Sequence, residues 1–285
     1  MQTITRLELL RKSVADLRRS GPVALVPTMG ALHEGHLTLV REARNHARHV
    51  AVSIFVNPAQ FGPNEDLDAY PRQMEQDSAL LKAEGVEILW APDASEVYPE
   101  GFATNISVSG VSDNFCGAAR PGHFDGVATV VCKLFHHVLP DVALFGEKDW
   151  QQLAVIRRMA RDLNLTQPFV EKIIGVPTVR EADGLAMSSR NAYLSAEERA
   201  AAASLPLAMR EAIAAIESGA DVAVALAELE KSLLGAGFHA IDYAALADAA
   251  SLAPLTRRGT APARLLVAAR IGSTRLIDNM AVEAR

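Results

Sequence analysis

The first 178 residues alternate short apolar runs with amphipathic segments, and this alternation constrains the fold more than any other feature. The amphipathic segments repeat apolar residues every three or four positions, which is typical of helices. We assign the apolar runs to buried strands at residues 23–26, 49–56, 87–90, 141–145 and 169–174. Strands that alternate with helices predict a parallel sheet with helices on both faces. Because ligands of such sheets bind beyond the carboxyl ends of the strands, the candidate residues follow Val26, Val56 and Phe145.

The pattern changes towards the end of the chain. Residues 205–216 and 222–233 carry apolar residues at helical spacing, so this alanine-rich part consists of packed helices rather than a linker. Gly272-Ser273 lies between two apolar runs and is typical of a two-residue hairpin turn. We therefore predict two domains: a Rossmann-like α/β domain, residues 1–178, and a smaller C-terminal α+β domain, residues 179–285.

The composition argues against several classes of protein. The 285-residue chain has 49% hydrophobic and 22% charged residues, which are values of a folded globular protein. Its net charge is -6, and both predicted domains carry more acidic than basic residues, which argues against a nucleic-acid-binding surface. The two cysteines form no disulfide framework, and no apolar run approaches the roughly 20 residues of a membrane span. We predict a cytoplasmic protein with no nucleic-acid or membrane partner.

The segment after the first of these strands joins it to a helix and carries His33, Glu34, Gly35 and His36. Backbone N–H groups and the helix dipole at such a junction favour an anion. Histidines three apart project from one side of the first turn, where their rings can donate hydrogen bonds to phosphate oxygens. A zinc site is less favoured, because H-E-x-x-H places its histidines four apart. Two ordinary surface histidines are the other alternative, and the neighbouring glycines favour phosphate chemistry over it.

Polar side chains also follow two other strands. Asn57 and Gln60 come after the second run, and their neutral amides suit a hydroxyl or a carboxylate. Taken alone, this segment is better explained as an ordinary turn built on Pro58 and Gly62. Lys148, Asp149 and Gln152 come after the fourth run. Lys148 is a point charge for phosphate, and Asp149 either binds ribose hydroxyls or caps a helix. These segments are expected at the same edge of the sheet, although Gln152, one turn into a helix, faces either the pocket or solvent.

Three further segments are ambiguous by themselves. Arg120 beside Pro121-Gly122 either meets an anion or lies in a loop before a helix. Met187-Ser188-Ser189-Arg190 suits a triphosphate but also fits a helix-capping loop. Residues 63–72 form either a mobile flap or a plain surface loop.

Together the motifs are more specific than any one of them. His33-Glu34-Gly35-His36 and Met187-Ser188-Ser189-Arg190 resemble the two signature motifs of class I aminoacyl-tRNA synthetases and related nucleotidyltransferases. From Val26 to Met280 the chain resembles the pantoate–β-alanine ligase family. The segments that carry this second resemblance include Val26–Gly30, Phe55–Gly62, Asp66–Arg72, the Arg120 and Gly146 segments, and Gly175–Glu181.

The resemblance implies an ATP-dependent ligase that joins (R)-pantoate to β-alanine. The reaction would pass through pantoyl adenylate and release AMP and pyrophosphate. The resemblance also implies Mg²⁺ bound with the triphosphate, a homodimer, and a smaller domain that closes over ATP. It does not assign protein ligands to the Mg²⁺ ion.

The resemblance further implies roles for individual residues. The catalytic set would be His36, His33, Lys148 and Arg190. Gln60 and Gln152 would bind pantoate, and Gln60 would also lie beside β-alanine. ATP would be bound by a larger set: Met29, Gly30, Ala31, Leu32, His33, Glu34, Gly35, His36, Gly146, Glu147, Lys148, Asp149, Val179, Met187, Ser188, Ser189 and Arg190.

Other functions are less well supported by the sequence. A related nucleotidyltransferase could adenylate another small acid or a phosphate ester, but a second phosphate needs a cationic cradle where this chain has Asn57 and Gln60. A tRNA synthetase needs a tRNA-binding surface, which the short and net-negative tail does not supply. A nucleotide sensor without chemistry is disfavoured because both histidines and both amides are present.

Overall fold

A computed structural model describes residues 1–63 and 65–285 of the chain, which divide into two compact units. The first unit comprises Met1–Val108, Arg120–Glu147 and Val155–Pro177. The second comprises Ser109–Ala119, Lys148–Ala154 and Thr178–Arg285. Two short segments that precede residue 178 therefore belong to the second unit.

The sheet of the first unit has six parallel strands in the order β1-β4-β3-β2-β5-β6. The strands are β1 (Gln2–Ile4), β2 (Val23–Thr28), β3 (His49–Ile54), β4 (Ile88–Trp90), β5 (Val142–Gly146) and β6 (Ile173–Val176). The three central strands, β2, β3 and β5, are buried along most of their length. Such continuous apolar strands are expected where a parallel sheet is covered on both faces.

Helices supply that cover. The α-helices of both units, within the described residues, are α1 (Leu7–Arg18), α2 (Glu34–His46), α3 (Met74–Ala83), α4 (Ala94–Val97), α5 (Cys116–Ala119), α6 (His123–Val138), α7 (Trp150–Asp162), α8 (Ala196–Ala202), α9 (Ser204–Glu217) and α10 (Val222–Gly235). On one face of the sheet, Val40 of α2 and Leu81 of α3 pack against alternate residues of the central strands. On the other face, Phe135 of α6 lies with its ring centroid 6.3 Å from that of Phe145 in β5. No helix among the described residues is both long and apolar enough to cross a membrane.

The strand order places a topological switch in the middle of the sheet. The chain leaves β2 to form β3 on one side, whereas β5 pairs with the other side of β2. In open parallel sheets, ligands bind at the carboxyl ends of the strands beside such a switch. The loops at this edge carry Met29 to His36 after β2, Gln60 after β3, and Gly146 at the end of β5.

The second unit contains a three-stranded antiparallel sheet with helices on one face. Its strands, in the order β7-β8-β9, are β7 (Ala240–Asp248), β8 (Ala263–Ile271) and β9 (Thr274–Val282). Met209 of α9 and Leu229 of α10 pack with Leu265 of β8 in one apolar cluster. Leu266 points to the opposite face and packs with Phe115 and Trp150. The α/β class, the smaller α+β part and the hairpin at Gly272-Ser273 are therefore confirmed.

Three strands differ from the sequence prediction. The run predicted as a strand at residues 169–174 begins with an exposed Phe169 and a 3₁₀ turn at Val170–Lys172. The strand starts only at Ile173, because the pairing with β5 begins there. β1 and β7 were not predicted: β1 has three residues, and the alanines of β7 give no clear alternation.

Candidate active site

A buried carboxylate holds the loop between β2 and α2. Asp77 of α3 is 1% exposed, and its two oxygens accept hydrogen bonds from the backbone N–H groups of Ala31 at 2.9 Å and Leu32 at 2.8 Å. The N–H of Gly30 donates to the Thr28 hydroxyl at 3.2 Å. Three N–H groups expected to face an anion are therefore engaged inside the protein. Any contact of this loop with a ligand has to come mainly from other atoms.

The same loop has an unusual backbone. Gly30 has a φ of 84° and Ala31 a φ of 50°, both in the left-handed region. A Cβ at Gly30 would lie 3.0 Å from Asp77 Oδ2 and 3.1 Å from Ile54 Cγ2. Only glycine fits at position 30. At position 31 the left-handed backbone of alanine costs about 1–2 kcal/mol, because its Cβ comes close to the following carbonyl oxygen. The hydrogen bond from Ala31 to Asp77 stabilises this conformation.

The two histidines form a reciprocal cap at the start of α2. His33 is the N-cap residue, and its Nδ1 accepts a hydrogen bond from the Gly35 N–H at 3.2 Å. Nδ1 of His36 accepts from the His33 N–H at 3.3 Å, and the two ring centroids lie 4.1 Å apart. Since both Nδ1 atoms act as acceptors, the neutral rings carry their protons on Nε2. The two rings therefore lie side by side at the start of α2, as the spacing predicts, and each carries an Nε2–H group.

Glu34 lies in the same turn but has a different environment. Its carboxylate pairs with Arg41 further along α2, and Arg41 also binds Glu84 through Nε at 3.0 Å. The side chain of Glu34 is therefore part of a surface ion-pair network. A contact between Glu34 and ATP would involve its backbone rather than this carboxylate.

Gln60 lies close to the histidine loop within the first unit. It ends the 3₁₀ turn Pro58–Gln60 after β3 and is 9% exposed. Its Oε1 accepts a hydrogen bond from Asn57 Nδ2 at 3.1 Å, and its Nε2 lies 3.2 Å from the sulfur of Met29. The structure therefore brings together candidates from the loops after β2 and β3.

Asn57 holds the side chain of Gln60 through a hydrogen bond between their amides. Asn57 is 1% exposed, its Oδ1 accepts a hydrogen bond from the Tyr98 hydroxyl at 2.7 Å, and its Nδ2 also donates to the Gly126 carbonyl at 3.1 Å. Burial raises the pKa of Tyr98 to about 12, so this hydroxyl keeps its proton. Both ends of the Asn57 amide are thus used inside the protein. Asn57 orients Gln60, and the sequence interpretation of Asn57 as a ligand amide is not supported by these contacts.

Arg120, which was ambiguous in the sequence, has an acidic partner in the first unit. Arg120 Nε donates to Glu65 Oε1 at 2.7 Å, and a ring nitrogen of His123 donates to the Gln60 carbonyl at 2.9 Å. Burial alone would raise the pKa of Glu65, but the hydrogen bonds and charge of Arg120 outweigh it and lower that pKa to about 2. Arg120 therefore fastens the segment after Gln60, of which residue 64 lies outside the described residues. The choice between a mobile flap and a surface loop stays open.

The end of β5 presents open space. Apart from Gly146 and its two chain neighbours, no described residue has an atom within 4 Å of the point where a Cβ of Gly146 would be. Glu147 follows in a 3₁₀ turn, Glu147–Asp149. The backbone at Gly146 is therefore accessible to a ligand at the carboxyl edge of the sheet.

The remaining residues of this segment belong to the second unit. Lys148 Nζ lies 3.8 Å from Asp149 Oδ2, and the Lys148 carbonyl accepts a hydrogen bond from Asn279 Nδ2 at 2.8 Å. Gln152 is partly exposed, and no hydrogen bond within the described part of the chain involves it. Its neighbour Gln151 is buried and bonds to the backbone of residues 111–116. Only Gln152 of this pair is therefore available to a ligand.

The Val179–Arg190 segment forms a short antiparallel pair in the second unit. The N–H of Met187 donates to the Val179 carbonyl at 3.0 Å, so these two candidate residues are neighbours. The Ser188 hydroxyl accepts from the Arg190 N–H at 3.2 Å and caps the 3₁₀ turn Ser189–Tyr193. This turn leads to α8, whose N-cap is Ser195, so the loop before a capped helix is present, and the contact of these residues with ATP stays a prediction. Ser189 and Arg190 are both partly exposed.

Sequence reasoning missed three residues that hold these loops: Asp77, Asp278 and Asn279. Asp77 lies four residues before Leu81 on α3, so it is an acidic residue on the buried side of a helix. Asp278 and Asn279 are consecutive buried polar residues in the middle of a strand. Both patterns are visible in the sequence only once the buried faces are known.

The fold and these loops define a class of protein. A parallel sheet with its switch beside β2, paired imidazoles at a helix start and an accessible glycine at the next strand end is the arrangement of a Rossmann-type nucleotide-binding enzyme. The comparisons with known proteins are more specific. The family model described as pantoate-beta-alanine ligase matches residues 2–281. The chain belongs to the pantoate–β-alanine ligase family.

Individual relatives agree with the family model. The chain is 70% identical over 283 residues to a pantothenate synthetase of Novosphingobium aromaticivorans, covering 99% of each chain. It is 60% identical to that of Sphingopyxis alaskensis, covering 99% of this chain and 100% of the relative. These matches confirm the predicted family and the predicted ligase activity.

Solved structures agree as well. A crystal structure of pantothenate synthetase from Thermus thermophilus has a TM-score of 0.91 and 48% identity, covering 99% of this chain and 100% of the other. A pantoate-beta-alanine ligase from Francisella tularensis, complexed with beta-gamma ATP and beta-alanine, has a TM-score of 0.82 and 32% identity, covering 98% and 97%. The fold class is thereby confirmed independently of the sequence patterns.

Proposed function

We propose that the protein condenses (R)-pantoate with β-alanine, with ATP as the activating substrate, through a pantoyl-adenylate intermediate. One observation carries the site assignment. The buried Gln60 amide lies 3.2 Å from the sulfur of Met29, in the loop that leads to the histidine pair. A neutral amide suits the hydroxyl and carboxylate of pantoate, and the histidines suit phosphate.

The first step activates a poor electrophile. One carboxylate oxygen of pantoate attacks the α-phosphorus of ATP, the bond from that phosphorus to the β-bridging oxygen breaks, and pyrophosphate leaves. Negative charge grows on the phosphate oxygens during this step, so hydrogen-bond donors accelerate it more than a protein nucleophile would. We assign the Nε2–H donors of His33 and His36 to this task, together with the charges of Lys148 and Arg190.

Further residues are assigned to the substrates by the resemblance. Met29 to His36, Gly146 to Asp149, Val179, and Met187 to Arg190 are proposed to bind ATP. Gln60 and Gln152 are proposed to bind pantoate, with Gln60 also beside β-alanine. The partly exposed Gln152 and the accessible backbone of Gly146 support these assignments.

The second step is acyl transfer to nitrogen. The neutral amine of β-alanine attacks the acyl carbon of the adenylate, the bond to the AMP oxygen breaks, and the nitrogen loses one proton to solvent or to the departing phosphate. The activated acyl group needs no covalent protein intermediate. Holding the adenylate and the amine together makes the step effectively unimolecular.

Mg²⁺ is proposed to enter with the triphosphate. Among the described residues, no group of three His, Cys, Asp or Glu side chains could hold a metal ion. Mg²⁺ usually keeps several waters and binds through one or two carboxylates and substrate phosphates. An ion that arrives with the nucleotide therefore needs no group of three protein side chains. When bound, the ion would neutralise part of the phosphate charge.

The homodimer and the cytoplasmic location stay predictions from the resemblance and the sequence. Light scattering of the purified protein would test the first. A mass near 30.5 kDa would correspond to a monomer and contradict the dimer.

ATP–pyrophosphate exchange without amine tests the proposed function. Exchange that depends on (R)-pantoate, and not on other short hydroxy acids or phosphate esters, is the expected result. Addition of β-alanine should then yield pantothenate and AMP in equal amounts. Exchange with a phosphate ester instead of pantoate would identify a different nucleotidyltransferase, and ATP binding without any exchange would indicate a sensor.

A further inference from the structure

Two consecutive residues of β9, Asp278 and Asn279, are both buried at 3% exposure. Successive side chains of a strand point to opposite faces of its sheet. Asn279 pairs with Leu266 of β8 in the sheet register, on the face that also packs Trp150. Asp278 therefore faces the side of α9 and α10. One dipeptide thus reaches two different segments of the second unit.

Asp278 holds the Val179–Met187 pair. Its oxygens accept hydrogen bonds from the Arg180 guanidinium at 2.6 and 2.9 Å, a bidentate ion pair. Arg180 also donates to the Gly184 carbonyl at 3.0 Å, inside the turn that joins the two arms of the pair. The Asp278 side chain is 1% exposed, so this interaction is little weakened by solvent.

Asn279 holds the Lys148 backbone. Its Oδ1 accepts a hydrogen bond from Arg264, which fixes the orientation of the amide. Its Nδ2 consequently points to the Lys148 carbonyl, at 2.8 Å. Arg264 itself stacks on Trp150 with its guanidinium carbon 3.5 Å from the ring centroid, and Trp150 Nε1 donates to the Ala249 carbonyl at 2.9 Å.

We propose that Asp278 and Asn279 are positioning residues that fix the Lys148 segment and the Val179–Arg190 segment relative to each other, and that they thereby set the affinity for ATP. The inference rests on the proposed nucleotide role of these two segments. Neither residue is assigned a contact with substrate. Each acts through another group: Asp278 through Arg180, and Asn279 through the Lys148 carbonyl.

The substitution Asn279→Asp tests this inference with almost no change of shape. A carboxylate still accepts from Arg264 but cannot donate to the Lys148 carbonyl. We expect the Kd for ATP, measured by calorimetry without pantoate, to rise about tenfold, as for one lost hydrogen bond. The KM for pantoate in the exchange assay should change by less than about twofold. Asn164→Asp, in an exposed turn, controls for the added charge and should leave both values unchanged.

A double-mutant cycle separates positioning from a general structural effect. If Asn279 acts through Lys148, the Asn279→Asp effect on ATP affinity should largely vanish in a Lys148→Ala background. Multiplicative effects in the double variant would overturn the proposal, since a direct charge effect or general loosening would persist without the lysine side chain. Equal losses of ATP and pantoate affinity in the single variant would overturn it as well.

Arg180→Lys provides the second arm if Asn279→Asp does not fold. Lysine keeps the charge opposite Asp278 but loses the bidentate fork, so we expect ATP affinity to fall severalfold with pantoate KM retained. Unchanged ATP affinity in this folded variant would contradict the proposal. Because calorimetry needs no reaction, a wild-type protein that binds ATP without exchange would refute the proposed function while leaving this test intact.

Discussion

The two units hold their candidate nucleotide loops in different ways. In the first unit, Asp77 accepts hydrogen bonds from two backbone N–H groups of the loop after β2. In the second, Asp278 pairs with the side chain of Arg180. Both carboxylates are almost fully buried, but only the second has a guanidinium partner.

The two kinds of partner constrain different properties of a loop, its backbone conformation in one case and its position in the other. Hydrogen bonds from backbone N–H groups determine φ and ψ directly, and the loop after β2 needs this since Gly30 and Ala31 are left-handed. A side-chain ion pair fixes the position of a segment but leaves its backbone conformation to local turns. The first loop is therefore shaped by its carboxylate, and the second is anchored by it.

The largest effect is expected for a substitution of His36 that lowers the reaction rate but keeps the structure of the loop after β2. Gln at the N3 position continues a capping box, so His36→Gln should keep the start of α2 intact. We expect the rate of ATP–pyrophosphate exchange to fall by about 10²–10³-fold, as for loss of an electrostatic donor in a transition state. The free energy of unfolding should change by less than about 0.5 kcal/mol.

The same substitution at the other end of the helix is the control for this prediction. His46→Gln should exchange at the wild-type rate, because the contact of the His46 ring among the described residues is with Glu42 on the surface. A His36→Gln variant with full exchange activity would show that the histidine pair is a cap and nothing more.

The next effect concerns the shape of the first loop. Asp77→Asn replaces one acceptor oxygen by an NH₂ group that faces a buried N–H. Leaving that donor unsatisfied should lower the free energy of unfolding by about 2 kcal/mol. Chemical denaturation measures this loss, with the exposed Glu75→Gln on the same helix as the control. Equal midpoints for the two variants would mean that Asp77 does not shape the loop.

The first unit also has an ion pair, between Glu65 and Arg120 beside Gln60, whose contribution to stability should depend on pH. The folded pKa of Glu65 is about 2 against an ordinary value of 4.5, so the unfolded chain binds more protons in that interval. Its stabilising contribution is full above pH 4.5 and is lost as the pH falls towards 2. The stability difference between wild type and Glu65→Gln should therefore shrink on acidification. The exposed Glu100→Gln should show no such trend, and a difference independent of pH would contradict the assigned pairing.

The smallest effect is expected at the surface of the second loop. Arg199 bridges Glu181 and Asp183 at 2.6 Å each, and all three side chains are about one-third exposed. Arg199→Gln should lower the free energy of unfolding by less than about 1 kcal/mol. That loss should diminish further in about 1 M salt, where such pairs are screened. A large and salt-independent loss would place Arg199 with Arg180 as an anchor of the loop.

The strand and helix pattern was predictable because it is local. The central strands are continuous apolar runs, and α2, α9 and α10 have clear apolar stripes. β1 was not predictable, since its three residues become a strand only by pairing with β4, more than 80 residues along the chain. β7 was missed because six of its nine residues are alanine or aspartate, which give little periodic signal.

The candidate site likewise contains local motifs that could be predicted and partners distant in sequence that could not. His33 and His36 form a local motif, and their rings were expected on one side of a helix turn. Asp77 acts on residues 45 and 46 positions away, and Asp278 acts on Arg180 at a separation of 98. No local pattern predicts such partners. The chemistry of the loops could therefore be predicted from the sequence, but the carboxylates that hold them could not.

Transfer of oxygen from pantoate to AMP tests the central claim most directly. If the carboxylate attacks the α-phosphorus, one carboxylate oxygen stays with AMP after β-alanine displaces it. With oxygen-18 in the pantoate carboxylate, mass spectrometry of the products should find one labelled oxygen in AMP and none in pyrophosphate. Unlabelled AMP, or label in inorganic phosphate with ADP as the second product, would contradict the acyl-adenylate route.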